Sequence, residues 1–258
     1  MKTGYFGDES SHTYACAASV TGGELVGYPS IAAVVTALAD GEVDRAVVPL
    51  ENSVGGTVGD TLDALKRYDV FVTRQFHKRI FHCLIGKAGA KKSDVKRIYS
   101  HPQALAQCDR YLRENFASAD VIAVASTSAA LKIVSAPEEA AIARVATDGL
   151  TVLESEIEDN KNNVTRFVLL ERKPRYDGQK AAIVFGTPHR PGELLKVLEV
   201  LAAFDLNLNK LESRPSRDGE FGYWFFAEFD CPTRAVLGMV MRKLSAESEG
   251  FVRLVGCY

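Results

Sequence analysis

Short apolar runs alternate with alanine-rich stretches over the first 172 residues of the chain. The apolar runs are rich in β-branched residues, which favour strands, while the alanine-rich stretches have the spacing of helices. Strands that alternate with helices in this way indicate an α/β fold with parallel strands. The first unit is predicted to contain strands at residues 3–6 and 45–49 and helices at residues 13–20, 30–39 and 59–68.

A second unit with the same alternation begins near residue 71. Its predicted strands are residues 80–85, 95–100, 121–125 and 140–142, and its predicted helices are residues 102–115 and 128–135. A cleft between two α/β units, lined by the carboxyl ends of strands, is the usual place for a small ligand. We therefore expect a ligand site between the two units.

A polar segment at residues 173–180 contains Pro174 and Gly178 and predicts a linker. Beyond it, strands are predicted at residues 181–186, 209–212, 223–229 and 251–255, with helices at residues 192–204 and 233–245. This β-α-β-β-α-β order is that of ferredoxin-like domains. The predicted domains are residues 1–174, with a second lobe at about residues 71–157, and residues 180–258.

A buried strand is predicted at residues 164–170, directly after a polar and acidic loop. Thr165 therefore lies at the entrance of the strand, where a hydroxyl can face a ligand. Arg166 follows it, and side chains alternate between the two faces of a regular strand. We expect both side chains to reach the cleft, because the entrance of the strand is predicted to be irregular.

Several loops that follow apolar strands are rich in hydroxyl and amide side chains, which can bind an anion without a buried charge. Paired glycines in residues 49–58 allow the backbone to approach a ligand closely. Ser100 has the spacing of a helix N-cap, and Gln103 and Gln107 share one helical face. A further helix start at residues 126–128 offers free N–H groups to a carboxylate. Each of these features also has a purely structural explanation, as a cap or a turn.

The composition narrows the classes of function. The 258 residues include 31 basic and 33 acidic side chains, giving a net charge of -2, and 47% of them are hydrophobic. No basic run indicates a nucleic-acid or anionic membrane surface, and no apolar stretch is long enough to cross a bilayer. The N-terminal residues lack the apolar core of a signal peptide, which predicts a cytoplasmic protein. A small-molecule partner fits these features best.

The five cysteines are odd in number, widely spaced and set among apolar neighbours. Reduced core thiols are therefore expected, rather than a disulfide framework or a zinc site. The five histidines show no metal-ligand spacing. We predict that the protein has no metal site.

Several short motifs occur together in the first 170 residues. They are Glu51-Asn52-Ser53 with Gly56 and Val58, residues 100–108, residues 141–143, Gly149-Leu150, residues 157–159 and residues 163–167. With these motifs the first 170 residues resemble the prephenate dehydratase family, and the remainder resembles its regulatory ACT domain. The resemblance implies a two-lobed, periplasmic-binding-protein-like catalytic domain and a ferredoxin-like ACT domain. It also implies that prephenate loses CO2 and its ring hydroxyl to give phenylpyruvate, in L-phenylalanine biosynthesis and without a cofactor.

The resemblance assigns the Thr165 hydroxyl to the departure of the ring hydroxyl. Threonine is a poor acid at neutral pH, so a hydrogen bond to the developing charge is favoured over free proton transfer. Arg166 and Glu51 are the other candidate catalytic residues, and Glu51 is a proton source only if its pKa is raised. The candidate substrate-binding residues are Ser11, Asn52, Ser53, Ser100, Gln103, Gln107, Ser126 and Thr127.

The resemblance further implies that L-phenylalanine binds as an effector between subunits. Glu193 and Leu195 replace the alanine and valine that are usual in the family. A site between subunits requires at least a dimer, so a homodimer or homotetramer is predicted. The candidate effector-binding residues are Gly192, Glu193, Leu194, Leu195, Asn207, Glu212, Ser213, Arg214 and Pro215.

The first loop departs from the family. Residues 7–11 lack the proline and the second glycine of the usual Gly-Pro-x-Gly-Thr pattern, although Ser11 keeps a hydroxyl. Asp8 and Glu9 would repel a dianion if they faced the cleft, and would favour a substrate that carries an ammonium group. Arogenate is therefore an alternative substrate. A non-catalytic amino-acid sensor with the same fold is a second alternative.

Overall fold

The computed structural model describes residues 1–216, 222–248 and 250–258. The first half of the chain forms β1 (Lys2–Phe6), α1 (His12–Val20), β2 (Glu24–Tyr28), α2 (Ile31–Asp40), β3 (Arg45–Asn52), β4 (Gly56–Thr57), α3 (Gly59–Arg67), β5 (Phe71–Arg79), β6 (Cys83–Lys87), β7 (Arg97–Ser100), α4 (Pro102–Gln107), α5 (Asp109–Asn115) and β8 (Asp120–Ala123). The second half forms α6 (Thr127–Ile133), β9 (Glu139–Ala143), β10 (Leu150–Glu154), β11 (Val164–Glu171), β12 (Lys180–Gly186), α7 (Glu193–Ala203), β13 (Leu208–Pro215), β14 (Tyr223–Asp230), α8 (Arg234–Glu247) and β15 (Val252–Cys257).

The larger sheet has the strand order β13-β14-β12-β15-β5-β11-β3-β1-β2, with β4 paired to β3. Its last five strands form the first lobe, and its first four come from the C-terminal part of the chain. The two parts join where β15 runs parallel to β5, with Gly256 paired to Val72. A Cβ atom at position 256 would lie 2.6 Å from the Val72 carbonyl oxygen, so only glycine allows this approach.

The smaller sheet forms the second lobe and has the order β10-β6-β9-β7-β8. Its core contains the fully buried side chains of Leu84, Ile98 and Ile142. The second lobe therefore begins at β6, and the predicted start at residue 71 is wrong, because β5 pairs with β11 over its whole length in the larger sheet. Residues 80–82 and 155–163 are the two connections between the lobes.

Capping residues bound α2, and a break separates α4 from α5. The Ser30 hydroxyl caps α2 by accepting a hydrogen bond from the Ala33 N–H, and α2 ends at Gly41, which has the left-handed φ of 83°. The helix predicted at residues 102–115 is instead two helices, α4 and α5, separated at Cys108.

The C-terminal elements follow the predicted β-α-β-β-α-β order. Helices α7 and α8 pack on the sheet through Val197, Leu201, Val240 and Leu244.

The prediction of reduced cysteines is wrong for one pair, because Cys231 and Cys257 form a disulfide. Cys231 directly follows β14 and Cys257 ends β15, and both strands flank β12, so the sheet brings together residues that are 26 positions apart.

Among the residues described, no helix is long and apolar enough to cross a membrane.

Candidate functional site

A cavity of about 470 Å³ lies between the two lobes, a volume that suits a small ligand. Side chains from both sheets line it. The predicted site residues along its wall are Ser11, Asn52, Gln103, Gln107, Ser126, Thr127 and Thr165. The sequence therefore placed these residues in one cavity correctly, although their roles in binding and catalysis are still predictions.

The Thr165 hydroxyl is held in a defined position at the entrance of β11. Asn52, on the neighbouring strand β3, donates one amide hydrogen to Thr165 Oγ1 at 2.9 Å and the other to Asn163 Oδ1 at 2.7 Å. The Asn52 amide oxygen accepts from the N–H groups of Val54 and Gly55 at 3.0 and 2.7 Å, which fixes its orientation. Because Thr165 accepts from Asn52 and bonds no other described residue, its own proton is free to donate into the cavity.

The buried side chain of His82 orients Gln107. Its Oε1 lies 2.7 Å from Nε2 of His82, whose pKa is lowered by burial more than the hydrogen bond to Gln107 raises it. An amide oxygen can only accept, so the neutral His82 ring carries its proton on Nε2. Gln107 then keeps its two N–H groups for a ligand. The ring of His12 packs edge-on against His82, with centroids 5.9 Å apart.

Two serines at the cavity wall are helix caps. The Ser11 hydroxyl accepts from the Tyr14 N–H at the start of α1, and the Ser126 hydroxyl accepts from the Ala129 N–H at the start of α6, each at 3.0 Å. A serine hydroxyl that caps a helix as an acceptor still has one proton to donate. The structural and ligand-binding explanations of these residues are therefore compatible.

Gln103 approaches the first lobe across the cavity. A Cβ atom at position 55 would lie 3.0 Å from Gln103 Nε2 and 3.4 Å from Asn52 Oδ1. Gly55 therefore allows the loop between β3 and β4 to pass close to α4, as the paired glycines predicted.

The cavity-lining residues that the sequence analysis missed include His12, His82 and Arg144. Arg144 directly follows β9, at the carboxyl end of a strand, and that position was the available signal. Burial, together with the charge of Arg144 and the neighbouring His82, lowers the pKa of His12 to about 3. His12 is therefore neutral at physiological pH.

The prediction for Ser100 is wrong. Its side chain is fully buried, and its hydroxyl donates to the Ile142 carbonyl oxygen at 2.6 Å, away from the cavity lining. The N-cap of α4 is instead His101, which accepts from the Gln103 N–H. The reason is that β7 continues through residue 100 and turns this side chain toward the neighbouring strand β9.

The prediction that Arg166 and Glu51 reach the same cleft as Thr165 is also wrong. In the register of β11 with β3, Thr165 lies opposite Asn52 and Arg166 opposite Glu51. Side chains of adjacent strand residues point to opposite faces, so the second pair faces the C-terminal strands. Arg166 and Glu51 line a separate cavity of about 340 Å³ together with Lys210.

Ser53 belongs to this second cavity as well, so its predicted place beside the substrate is wrong. Its N–H donates to the Val164 carbonyl at 2.9 Å, and its hydroxyl accepts from the Val164 N–H at 3.0 Å. These two bonds continue the pairing of β3 with β11 by one residue. Ser53 therefore fixes the start of the strand that carries Thr165.

The side chains that line the second cavity include several ion pairs. The guanidinium of Arg166 donates to both carboxylate oxygens of Glu228 at 2.9 Å and to Glu51 Oε2 at 2.9 Å, and Lys210 bonds the other Glu51 oxygen at 2.5 Å. Tyr258, the last residue, donates to Glu228 at 2.5 Å. Burial raises the pKa of Glu51, but Lys210 and Arg166 outweigh it and hold that pKa below its ordinary range. Glu51 is therefore ionised at neutral pH and is no proton source.

The predicted effector residues divide between two elements. Gly192 caps α7 with a left-handed φ of 87°, and Glu193 is buried at the first position of that helix, with one carboxylate oxygen that has no described partner. Leu194 packs on the core of the C-terminal sheet, whereas Leu195 is 57% exposed.

The remaining effector candidates lie on or beside β13. Glu212 accepts from the Thr57 hydroxyl at 3.0 Å and Arg214 pairs with Asp63 at 2.9 Å, so both contact the first lobe. Ser213 and Pro215 are exposed. Asn207 precedes β13 and lies near the Ala181 end of β12, whereas Gly192 follows the Gly186 end. Within one chain these candidates therefore do not form a single site.

No group of three or more metal-ligating side chains forms within residues 1–216, 222–248 and 250–258.

The comparisons with known proteins identify the family. The family model for prephenate dehydratase matches residues 3–175. The chain is 38% identical over 245 residues to arogenate dehydratase/prephenate dehydratase 1 of Arabidopsis thaliana, covering 84% of the chain and 61% of that protein. It is 34% identical over 224 residues to prephenate dehydratase of Methanocaldococcus jannaschii, covering 82% of the chain and 80% of that protein. The chain thus spans about three fifths of the length of the first curated relatives that it matches.

A solved structure agrees over the whole chain. The structure of prephenate dehydratase from Arthrobacter aurescens in complex with L-Phe superposes with a TM-score of 0.90 at 30% identity. The match covers 100% of this chain and 90% of the other. Together with the family match over residues 3–175, this places the chain in the prephenate dehydratase family.

Proposed function

We propose that the chain is a prephenate dehydratase, which converts prephenate to phenylpyruvate, CO2 and water. The observation that carries this proposal is the Thr165 hydroxyl, which is buried in the cavity wall, fixed by Asn52 and free to donate its proton. A fixed neutral donor of this kind is what a departing hydroxide requires, because it stabilises negative charge as that charge develops.

The reaction needs no redox partner. The bond between the ring and its carboxylate breaks to release CO2, and its electron pair forms a ring double bond as the neighbouring double bond shifts toward the carbon that bears the hydroxyl group. That carbon expels the hydroxyl group with the electron pair of the carbon–oxygen bond, and one proton converts the hydroxide to water. Aromatisation drives both steps, so the protein mainly orients the substrate and stabilises the leaving oxygen.

The cavity has surfaces that match the two parts of this substrate. Phe6, Ile80 and Phe167 form an apolar part of the wall, which suits the ring. Hydroxyl and amide groups of Gln107 and Ser126 lie on the opposite lobe, where they suit carboxylate oxygens.

The purified chain tests the proposal directly. Incubation with prephenate is expected to yield phenylpyruvate and CO2, detected by mass spectrometry and gas analysis at a rate above that of prephenate alone. Absence of product over many enzyme equivalents would overturn the activity, and would favour the alternative of a non-catalytic amino-acid sensor.

Arogenate is a second candidate substrate because Asp8 lines the cavity. Burial raises the pKa of Asp8, but hydrogen bonds from Ser10 and Ser128 outweigh it, so the pKa is lowered and the carboxylate is ionised. An ionised carboxylate favours the ammonium group that distinguishes arogenate from prephenate. Comparison of kcat/KM for the two substrates with one preparation decides between them.

We further propose that residues 1–174 form the catalytic domain, with its second lobe at residues 83–154, and that residues 180–258 form an ACT domain. The β-α-β-β-α-β order of the C-terminal elements and their antiparallel sheet support this division. The pairing of β15 with β5 and the ion pairs of Arg166 give a regulatory domain direct contact with the strand that carries Thr165.

The proposed effector is L-phenylalanine, bound between two copies of the chain. The separation of Asn207 from Gly192 within one chain supports a shared site, since a second copy can supply the missing half. In the described sheet β13 is an edge strand, which favours such pairing. A titration with L-phenylalanine is expected to lower activity and to stabilise a dimer or tetramer in sedimentation experiments. No change in either quantity would overturn the proposal.

A further inference from the structure

Few charged side chains line the large cavity, and the acidic ones outnumber the lysines and arginines. Among the described residues that line it, Arg144 is the only lysine or arginine, while Asp8 and Asp60 carry carboxylates. Two of the three lining histidines, His12 and His82, add no positive charge, because burial lowers their pKa values. The third, His101, accepts the Gln103 N–H through Nδ1 as the cap of α4. A substrate with two carboxylates therefore meets one arginine and no lysine among the described residues of this cavity.

Arg144 has an unusual set of partners. Its Nε donates to the Ser10 carbonyl and its Nη2 to the Glu9 carbonyl, each at 3.0 Å. These bonds reach from the second lobe to the first loop, so the guanidinium lies across one side of the cavity. No described carboxylate pairs with Arg144, and its Nη1 bonds no described residue.

An arginine without a carboxylate is rare in a half-buried place, because a desolvated charge is stable only with a counter-charge or several hydrogen bonds. Burial does lower the pKa of Arg144, but the guanidinium remains charged at neutral pH. The two carbonyl groups fix its plane and leave N–H groups available to an anion. The planar guanidinium fork can bind a carboxylate through two parallel hydrogen bonds.

Prephenate offers Arg144 two carboxylates, and the chemistry distinguishes them. The ring carboxylate leaves as neutral CO2, so an ion pair to it would stabilise the ground state more than the transition state and slow the reaction. The side-chain carboxylate keeps its charge throughout and is also present in phenylpyruvate. An ion pair to this second group binds substrate without raising the barrier.

We propose that Arg144 binds the side-chain carboxylate of the substrate, the one that the product retains. This inference rests on the proposed dehydratase activity and identifies which end of the substrate faces the second lobe. It makes Arg144 a substrate-binding residue, whose loss weakens binding of substrate and product alike.

The test compares Arg144→Gln and Arg144→Lys with the wild-type chain. Calorimetric titration with phenylpyruvate needs no turnover, and its Kd is expected to rise roughly tenfold or more in Arg144→Gln, with a smaller rise in Arg144→Lys. The KM for prephenate is expected to rise in parallel, while kcat changes by less than about threefold.

A neutral probe separates direct binding from a structural effect. Phenylpyruvamide has the same shape as phenylpyruvate but no carboxylate, so its Kd is expected to be equal in the wild type and Arg144→Gln. Equal weakening of both probes would mean that the substitution distorts the cavity, and would overturn the inference.

Two other outcomes also overturn it. A higher KM for prephenate with unchanged binding of phenylpyruvate would assign Arg144 to the departing carboxylate. Unchanged values for both would assign it a purely structural role between the lobes. A wild-type chain without turnover of prephenate would instead contradict the proposed function, so the two failures are distinguishable.

Discussion

Asn52 donates a hydrogen bond of 2.9 Å to the hydroxyl oxygen of Thr165, across two paired strands. One position away on each strand, Glu51 and Arg166 form an ion pair on the opposite face of the sheet. The same two strands therefore present a polar neutral pair to the large cavity and a charged pair to the C-terminal strands.

We expect Thr165→Ala to lower kcat by roughly 10²- to 10³-fold, the usual effect of removing one donor to a developing oxyanion. The KM should change little, because the hydroxyl is needed mainly in the transition state. Thr165→Ser keeps the donor and is the matched control. Steady-state kinetics on prephenate provide the measurement, and an equal kcat for the alanine and serine variants would contradict the assignment.

Asn52→Asp separates the two roles of the Asn52 amide. A carboxylate still accepts from the N–H groups of Val54 and Gly55, so the loop should keep its conformation. It can no longer donate to Thr165, and would instead accept the Thr165 proton that the substrate needs. We expect a loss of kcat comparable to that of Thr165→Ala, with a Tm close to that of the wild type. Wild-type kcat in this variant would show that the orientation of Thr165 is unimportant.

Glu228→Gln should lower the free energy of unfolding by about 1 to 3 kcal/mol, because it removes the more buried of the two carboxylates that pair with Arg166 and leaves only Glu51. The Arg166 and Glu228 side chains are 7% and 2% exposed. Lys243→Ala is the control, since it breaks the exposed pair with Glu247 on α8 and should cost about 0.5 kcal/mol or less. Urea denaturation compares the two, and equal effects would show that burial of the pair is unimportant.

The pKa of His12, which is lowered from an ordinary value of 6.5 to about 3, predicts a pH dependence of stability. Between these two values the unfolded chain binds a proton and the folded chain does not, so stability falls as the pH falls. Between pH 7 and pH 5 the wild type should lose roughly 1 to 2 kcal/mol more than His12→Phe. Urea titrations at the two pH values measure this difference, and an equal loss would contradict the prediction.

Ser100→Ala tests the corrected position of Ser100. The substitution leaves the Ile142 carbonyl without its hydrogen bond, so it should lower the free energy of unfolding by about 1 to 3 kcal/mol. The KM and kcat should stay within about twofold of the wild type, because the hydroxyl does not line the cavity. A large rise in KM without loss of stability would restore Ser100 to the substrate site.

The sequence predicted best those residues whose position follows from a strand end or a helix start. Thr165, Gln107 and Ser126 line the cavity as expected, because strand ends and helix starts meet between the lobes. Arg166 was misplaced because the irregularity in the pairing of β11 with β3 falls after it, between Arg166 and Phe167. The alternation from Thr165 to Arg166 is therefore kept and carries the Arg166 side chain to the other face.

The remaining differences depend on long-range pairing. The assignment of β5 to the larger sheet and the Cys231–Cys257 disulfide are both set by which strands become neighbours, and no local pattern specifies that. Arg144 was missed for a similar reason. Its partners are carbonyl groups of a loop more than 130 positions earlier, and any residue type supplies such a group.

The junction of Gly256 with Val72 has a consequence for movement. It joins the strands of the first lobe and the C-terminal strands in one continuous sheet, whereas the chain connects the second lobe to that sheet only through residues 80–82 and 155–163. Opening of the cavity is therefore expected as a hinge rotation of the second lobe about these two segments, with Thr165 staying on the fixed side and Arg144 travelling with the moving one.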